Sequence, residues 1–155
     1  MIDCLLAAGA LVDARTSEGC TALVIGSQEG KLEAVRSLIR GGADVNLVWI
    51  ITEGYSITAL MEASKHNHPS VVEALLEAGA DANFACPQSG VTVLMAACIG
   101  GGEACVRALL AGGADPRMVS RKGETALGVA KSYNHPAIAA LLEAKLRELS
   151  AGGGV

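Results

Sequence analysis

Three histidines, five cysteines and the glycine run at 100–102 are the residues of this chain whose types and spacing could do chemistry. His66 and His68 flank Asn67, and His135 stands far from both. A metal site needs a third ligand in reach, and none adjoins them. Gly100–Gly102 has the look of a phosphate cradle. It lacks the strand before it and the Gly-Lys-Ser/Thr after it, so an inter-helix turn is the expected reading. Cys4, Cys20, Cys86, Cys98 and Cys105 are odd in number, irregular in spacing and without a Cys-x-x-Cys. That excludes a disulfide framework and a zinc knuckle and points to a reducing compartment. Cys98 and Cys105 fall on apolar helix positions, as small buried hydrophobes. Cys20 and Cys86 fall in loops, where exposure is expected, and no cation adjoins them to lower their pKa. With no nucleophile–base pair, no enzyme, no cofactor and no metal are expected.

The elements that hold these residues repeat. A Thr-small-Leu tripeptide recurs at Thr21, Thr58, Thr92 and Thr125, and a Gly-Ala pair at Gly9, Gly42, Gly79 and Gly113. The threonine spacings are 37, 34 and 33. A period near 33 marks a stacked array in which each unit touches only its neighbours. Each threonine can cap a helix, predicted over 22–29, 59–65, 93–99 and 126–133. A turn follows, then a second helix over 31–40, 71–78, 105–111 and from Pro136 onward. Leu32, Val35, Leu38 and Ile39 recur at helical spacing on one stripe. Glycines stop the second helices, and an extended finger leads on to the next threonine.

These residues resemble the ankyrin repeat, whose pattern is Thr-Pro-Leu-His-x-Ala, a Gly-His turn, a leucine-rich helix and Gly-Ala-Asp-x-Asn. Gly42-Ala43-Asp44-Val45-Asn46 and Gly79-Ala80-Asp81-Ala82-Asn83 are close matches, and His68 and His135 stand at the turn position. The resemblance covers nearly all of residues 2–146. It implies an all-α, helix-turn-helix solenoid with extended β-turn fingers. The array would occupy 1–149, divided as a half repeat and finger over 1–20 and repeats over 21–57, 58–91, 92–124 and 125–149. The last repeat would be a cap, with Leu142, Leu146 and Leu149 on its inner side, and 150–155 a frayed, disordered tail. The motif histidine is Val24, Met61, Met95 or Gly128 here, so the ties it makes between neighbouring loops should be missing and the array less rigid.

Composition restricts the partner. The net charge of −4 argues against nucleic acid. Mean hydropathy is +0.41, yet the apolar run Val91 to Ile99 is too short to cross a bilayer, so no direct membrane insertion is expected. An intracellular place, cytoplasmic or nuclear, is expected. The finger from Asn46 to Thr58 spans 12 residues against 9 and 8 in two others, and it holds Leu47-Val48-Trp49-Ile50-Ile51 with the chain's one tryptophan. Five apolar side chains in a loop either pack on the adjacent finger or bind a partner. Arg117, Arg121 and Lys122 form a basic group in the last finger, as a solvated turn or a contact for an acidic patch.

The resemblance implies non-catalytic protein binding across fingertips and first helices. By position that surface is Ser17, Glu18, Cys20, Gln28 and Glu29, then Trp49, Tyr55, Ile57, Lys65 and His66. It continues through Gln88, Ser89, Val91 and Ile99 to Arg121, Lys122, Glu124, Ser132 and Tyr133. It runs from an acidic to a basic end with apolar groups between. The alternative is a substrate-recruiting or scaffold part of a larger protein: a ubiquitin-ligase adaptor, a membrane scaffold, or an ankyrin domain attached to an enzyme. The array starts mid-repeat, and the protein is expected to be monomeric unless that open N-terminal face associates. Asn46 and Asn83, each eight residues after a leucine and two after an aspartate, also look like ankyrin asparagines that an oxygen-dependent hydroxylase accepts. The structural alternative is that they stabilise the turn into the finger.

Overall fold

A computed structural model describes residues 8–52 and 55–152, and they form eight helices and one small sheet. In chain order these are α1 (Ala22–Gln28), α2 (Leu32–Arg40), β1 (Trp49–Thr52), β2 (Tyr55–Ile57), α3 (Ala59–Lys65), α4 (Pro69–Glu77), α5 (Val93–Gly100), α6 (Glu103–Ala111), α7 (Ala126–Ser132) and α8 (Pro136–Gly152). The leading helices α1, α3, α5 and α7 stack in one row, and α2, α4, α6 and α8 in a second. Cys4 and the rest of residues 1–7 of the half repeat lie outside the described residues.

Local chemistry sets each boundary. Thr21, Thr58, Thr92 and Thr125 cap the four leading helices. Their hydroxyls accept the backbone N–H of Val24, Met61, Met95 and Gly128 at 3.1–3.4 Å. Such a cap contributes about 1 kcal/mol. At the turn between paired helices the backbone goes left-handed at Gly30, Asn67, Gly101 and Asn134, with φ of 58–71°. Glycine has no Cβ to clash there, and asparagine tolerates the region better than most residues. Pro69 and Pro136 then open their helices where a missing N–H costs nothing.

The core is aliphatic, as 3% aromatic content requires. Leu60, Leu75, Leu94, Leu109, Ile138 and Leu142 are fully buried along the two rows. Small residues bring the rows close. A side chain at Gly100 would collide with the Lys65 carbonyl, so glycine there lets α5 close on α3. The last helix departs from expectation at its far end. It runs helically to Gly152, three residues into the segment read as frayed, and residues 153–155 lie outside the described residues. Leu149 is exposed rather than turned inward.

The expected loss of ties between loops is corrected, because other side chains make them. The Asp13 carboxylate accepts the N–H of Asp44 at 3.2 Å. Asn46 accepts the N–H of Asp81 at 2.8 Å and donates to the Gly79 carbonyl at 3.2 Å. Asn83 repeats this one unit on, with Asp115 at 2.7 Å and Gly113 at 3.0 Å. His68 Nε2 lies 2.9 Å from the Gln28 carbonyl, bridging two inter-helix turns. An amide carries both an acceptor and a donor, so one asparagine joins two backbone groups of the next unit.

Candidate functional site

The four fingers and the C-terminal ends of the leading helices lie side by side, and cross-finger hydrogen bonds hold them together. Trp49 Nε1–H donates to the Glu18 carbonyl at 2.9 Å, and the ring lies over Gly19. Ser56 donates from its hydroxyl to Gln88 Oε1 at 3.3 Å. Arg121 donates from its backbone to the Ser89 carbonyl at 2.9 Å and from its guanidinium to the Pro87 carbonyl at 2.7 Å. Every finger is thus joined to the next. Three are closed by single bridges, Arg15 to Thr21, Ala85 to Thr92 and Val119 to Thr125. The long one differs: its extra residues make a β-hairpin, pairing Trp49 with Ile57, Ile50 with Ser56 and Thr52 with Tyr55. Ile51 is the bulged residue in that ladder.

Most residues expected on the surface are there. Ser17, Glu18, Gln28, Glu29, Tyr55, His66, Gln88, Arg121, Lys122, Glu124, Ser132 and Tyr133 are exposed, and Lys65, Ser89, Val91 and Ile99 are half-buried. Two are not available. Ile57 is fully buried, because β2 turns it into the core at the start of α3. Cys20 is buried, its thiol donating to the Thr21 carbonyl at 3.6 Å. Trp49 is half-buried and packs against the core, so most of its ring lies against the preceding finger. Its neighbours in the strand do face solvent, Ile50 at 65% and Ile51 at 42% exposure, as does Val119 in the last finger. Sequence reasoning flagged the whole run from Leu47 to Ile51 and put only the tryptophan on the binding surface; the register that exposes the isoleucines exists only once the hairpin forms.

Cys86 also corrects the sequence reading, which placed it in an exposed loop. It is buried between the long finger and the next. Burial pushes its thiol up, but hydrogen bonds from the Ser89 hydroxyl and from the backbone N–H groups of Ser56, Ser89 and Gln88 outweigh it, giving a pKa of about 7. No cation is involved, which is why sequence proximity to lysine or arginine gave no signal. Cys98 and Cys105 are buried as expected, and burial takes their thiols to about 12 and about 11, the second helped by the charge of Glu73. They are inert at neutral pH. One group had been overlooked. Glu62 is buried in α3 with His66 Nε2 3.4 Å from its carboxylate. A carboxylate at the fourth position after the capping threonine, where Ile25, Ala96 and Val129 stand in the other units, was its signal.

Among the described residues no group of three His, Cys, Asp or Glu side chains is placed to hold a metal ion, and no helix is long and apolar enough to cross a membrane. The surface is a ridge of fingertips beside a floor of helix ends.

Comparison with known proteins agrees with this architecture. A family model for ankyrin repeats, in three copies, matches residues 60–148, and one for a single ankyrin repeat matches residues 18–49. A putative ankyrin repeat-containing protein of Treponema pallidum (strain Nichols) is 30% identical over 142 residues, covering 92% of this chain and 46% of that protein. The ankyrin repeat and KH domain-containing protein mask-1 of Caenorhabditis elegans is 39% identical over 97 residues, covering 63% of this chain and 4% of its own length. The E3 ubiquitin-protein ligase KEG of Arabidopsis thaliana is 33% identical over 135 residues, 84% of this chain and 8% of the ligase. The chain therefore spans less than half the length of each of these relatives.

Proposed function

Since this chain belongs to the ankyrin repeat family, we propose that it is a non-catalytic module that binds another protein across its fingertips and leading helices. The carrying observation is the joined finger row: hydrogen bonds link every finger to the next, so exposed groups from four units form one preorganised surface. A prearranged surface loses less conformational entropy on binding than separate loops would. The groups offered are Ser17, Glu18, Gln28 and Glu29 at one end, Tyr55, Lys65, His66, Gln88, Ser89, Val91 and Ile99 in the middle, and Arg121, Lys122, Glu124, Ser132 and Tyr133 at the other. Cys20 and Ile57 are excluded by burial. Cys20, Cys98 and Cys105 are buried thiols outside any disulfide, which supports an intracellular setting.

The test is capture of the partner followed by cross-linking mass spectrometry. Cross-links should fall on the fingertips and the ends of α1, α3 and α7. The triple variant Gln28→Ala, Lys65→Ala, Tyr133→Ala should lose the partner without a change in melting temperature. Cross-links confined to α2, α4 and α6, with the triple variant binding normally, would remove this surface.

A second reading is favoured by the small share of each relative that the chain covers: the array as the recruiting or scaffold part of a larger protein. Sequencing the full transcript decides it. Asn46 and Asn83 are further proposed as sites for an asparagine hydroxylase, supported by their exposure at the finger entries. Absence of an added oxygen by mass spectrometry, after incubation with such an enzyme, ends that idea.

A further inference from the structure

The long finger and the last one offer different chemistry along the same ridge. Ile50 and Ile51 are consecutive, yet both face solvent. Consecutive strand residues ordinarily point to opposite faces. The bulge at Ile51 breaks that alternation and re-aims a side chain, as bulges do. Tyr55, on the paired strand opposite Thr52, is 37% exposed. Two large apolar groups thus face solvent side by side, although Trp49 in the same strand is folded onto the neighbouring finger. Packing accounts for the tryptophan and leaves the isoleucines unexplained.

Two units along, the tip of the last finger carries Arg121 and Lys122, both exposed. Arg121 is anchored to the preceding finger through the Pro87 carbonyl, which holds this tip in the row. Arg117 is occupied by Asp115 at 2.9 Å, and Glu124 is the one exposed carboxylate close by in sequence. Between the two tips, Gln88 and Ser89 present no charge.

We propose that this ridge takes an extended segment of a partner protein carrying an apolar pair and, about six residues from it in either direction, acidic side chains. The spacing follows from the array. Neighbouring helices pack 8–10 Å apart, so two units span about 20 Å. An extended chain covers that in about six residues at 3.3 Å each. The apolar pair would cover Ile50 and Ile51, and the acidic groups would meet Arg121 and Lys122. The inference rests on the reading of this protein as a binding module and specifies the class of segment it takes.

The probe is a phage-displayed library of random dodecapeptides selected on the whole protein, with selected peptides measured by fluorescence polarisation. Selected sequences should share an apolar pair about six residues from acidic ones. Ile50→Ser with Ile51→Ser should weaken them at least tenfold, and Lys122→Glu about tenfold, with the wild-type affinity falling as salt rises. Both changes sit at exposed positions; should the double variant fold poorly, Lys122→Glu carries the test alone. Selection of basic peptides, of no shared pattern or of no binder overturns the inference. So does binding that survives these variants but is lost with Gln28→Ala, Lys65→Ala and Tyr133→Ala, an outcome that leaves the proposed binding function standing.

Discussion

Trp49 shows how a single residue can be placed by its one polar atom. The indole has an apolar body and one N–H donor, and burying it requires a partner for that donor. The Glu18 carbonyl supplies one, so the tryptophan staples two fingers together. Trp49→Phe keeps most of the apolar contact and loses the hydrogen bond, and should destabilise by about 1 kcal/mol. Trp49→Ala also loses the burial and should destabilise by about 2 kcal/mol or more. Thermal melts of both variants check this, and equal melting temperatures for all three proteins would show that the finger contributes nothing to stability. Asn83 is a second such residue. Asn83→Ala removes two cross-repeat hydrogen bonds at an exposed site and should destabilise by about 1–2 kcal/mol. Glu77→Ala, on the exposed back of α4, should stay within about 0.5 kcal/mol.

Helices are too short here to stand alone, at 7–9 residues for seven of the eight. Isolated helices of that length are unstable in water, so caps and stacking must hold them. Leu75 in α4 and Leu109 in α6 are fully buried between units. Replacing either with alanine should destabilise by about 2–5 kcal/mol through lost contacts and a cavity. Urea unfolding measures it, and a loss no larger than that of Glu77→Ala would overturn the placement of these helices. At the far end, Lys131 in α7 reaches Glu143 in α8 at 2.8 Å. That hydrogen bond and charge, helped by Arg147, hold the Glu143 carboxyl below its ordinary 4.5. A group with a depressed folded pKa stabilises above its unfolded value, and that contribution is lost as pH falls through the folded value. The melting temperature of Lys131→Ala should therefore lie below wild type at neutral pH and converge with it in acid, beneath the ordinary carboxylate range. A gap that stays constant down to full protonation would show that the charge pair plays no part.

Across the whole molecule, stability is a sum over neighbours. Units α3–α4 and α5–α6 are covered on both sides, whereas α1–α2 and α7–α8 each have one such neighbour among the described residues. In a one-dimensional array the covered units open least often. Amide hydrogen exchange should be slowest in α3, α4, α5 and α6 and faster in the outer pairs. Uniform protection would mean the array opens as one cooperative body. The finger ridge shares this property: its hydrogen bonds run from unit to unit, so a break in the middle, such as Asn83→Ala, should raise exchange in the last finger more than in the first.

Periodicity was enough to determine the repeat and the order of its helices. A threonine that caps, a residue that accepts a left-handed turn and an aliphatic stripe each act within a few residues of themselves. The four caps, the four turns and the buried Leu75 and Leu109 were legible for that reason. What depended on contacts between units was not. Thr-small-Leu says nothing of which side chain will join one loop to the next, and asparagines took the part that histidine plays in the family pattern. Cys20 and Cys86 lie in loops by sequence, but neighbouring fingers close over them. Glu62 is hidden by units that precede and follow it. The long finger was flagged by its length, yet a bulge of one residue decides that Ile50 and Ile51 face solvent while Trp49 does not. Strand register depends on a partner strand, and a side chain's exposure depends on what lies across the gap; both are set only when the units stack.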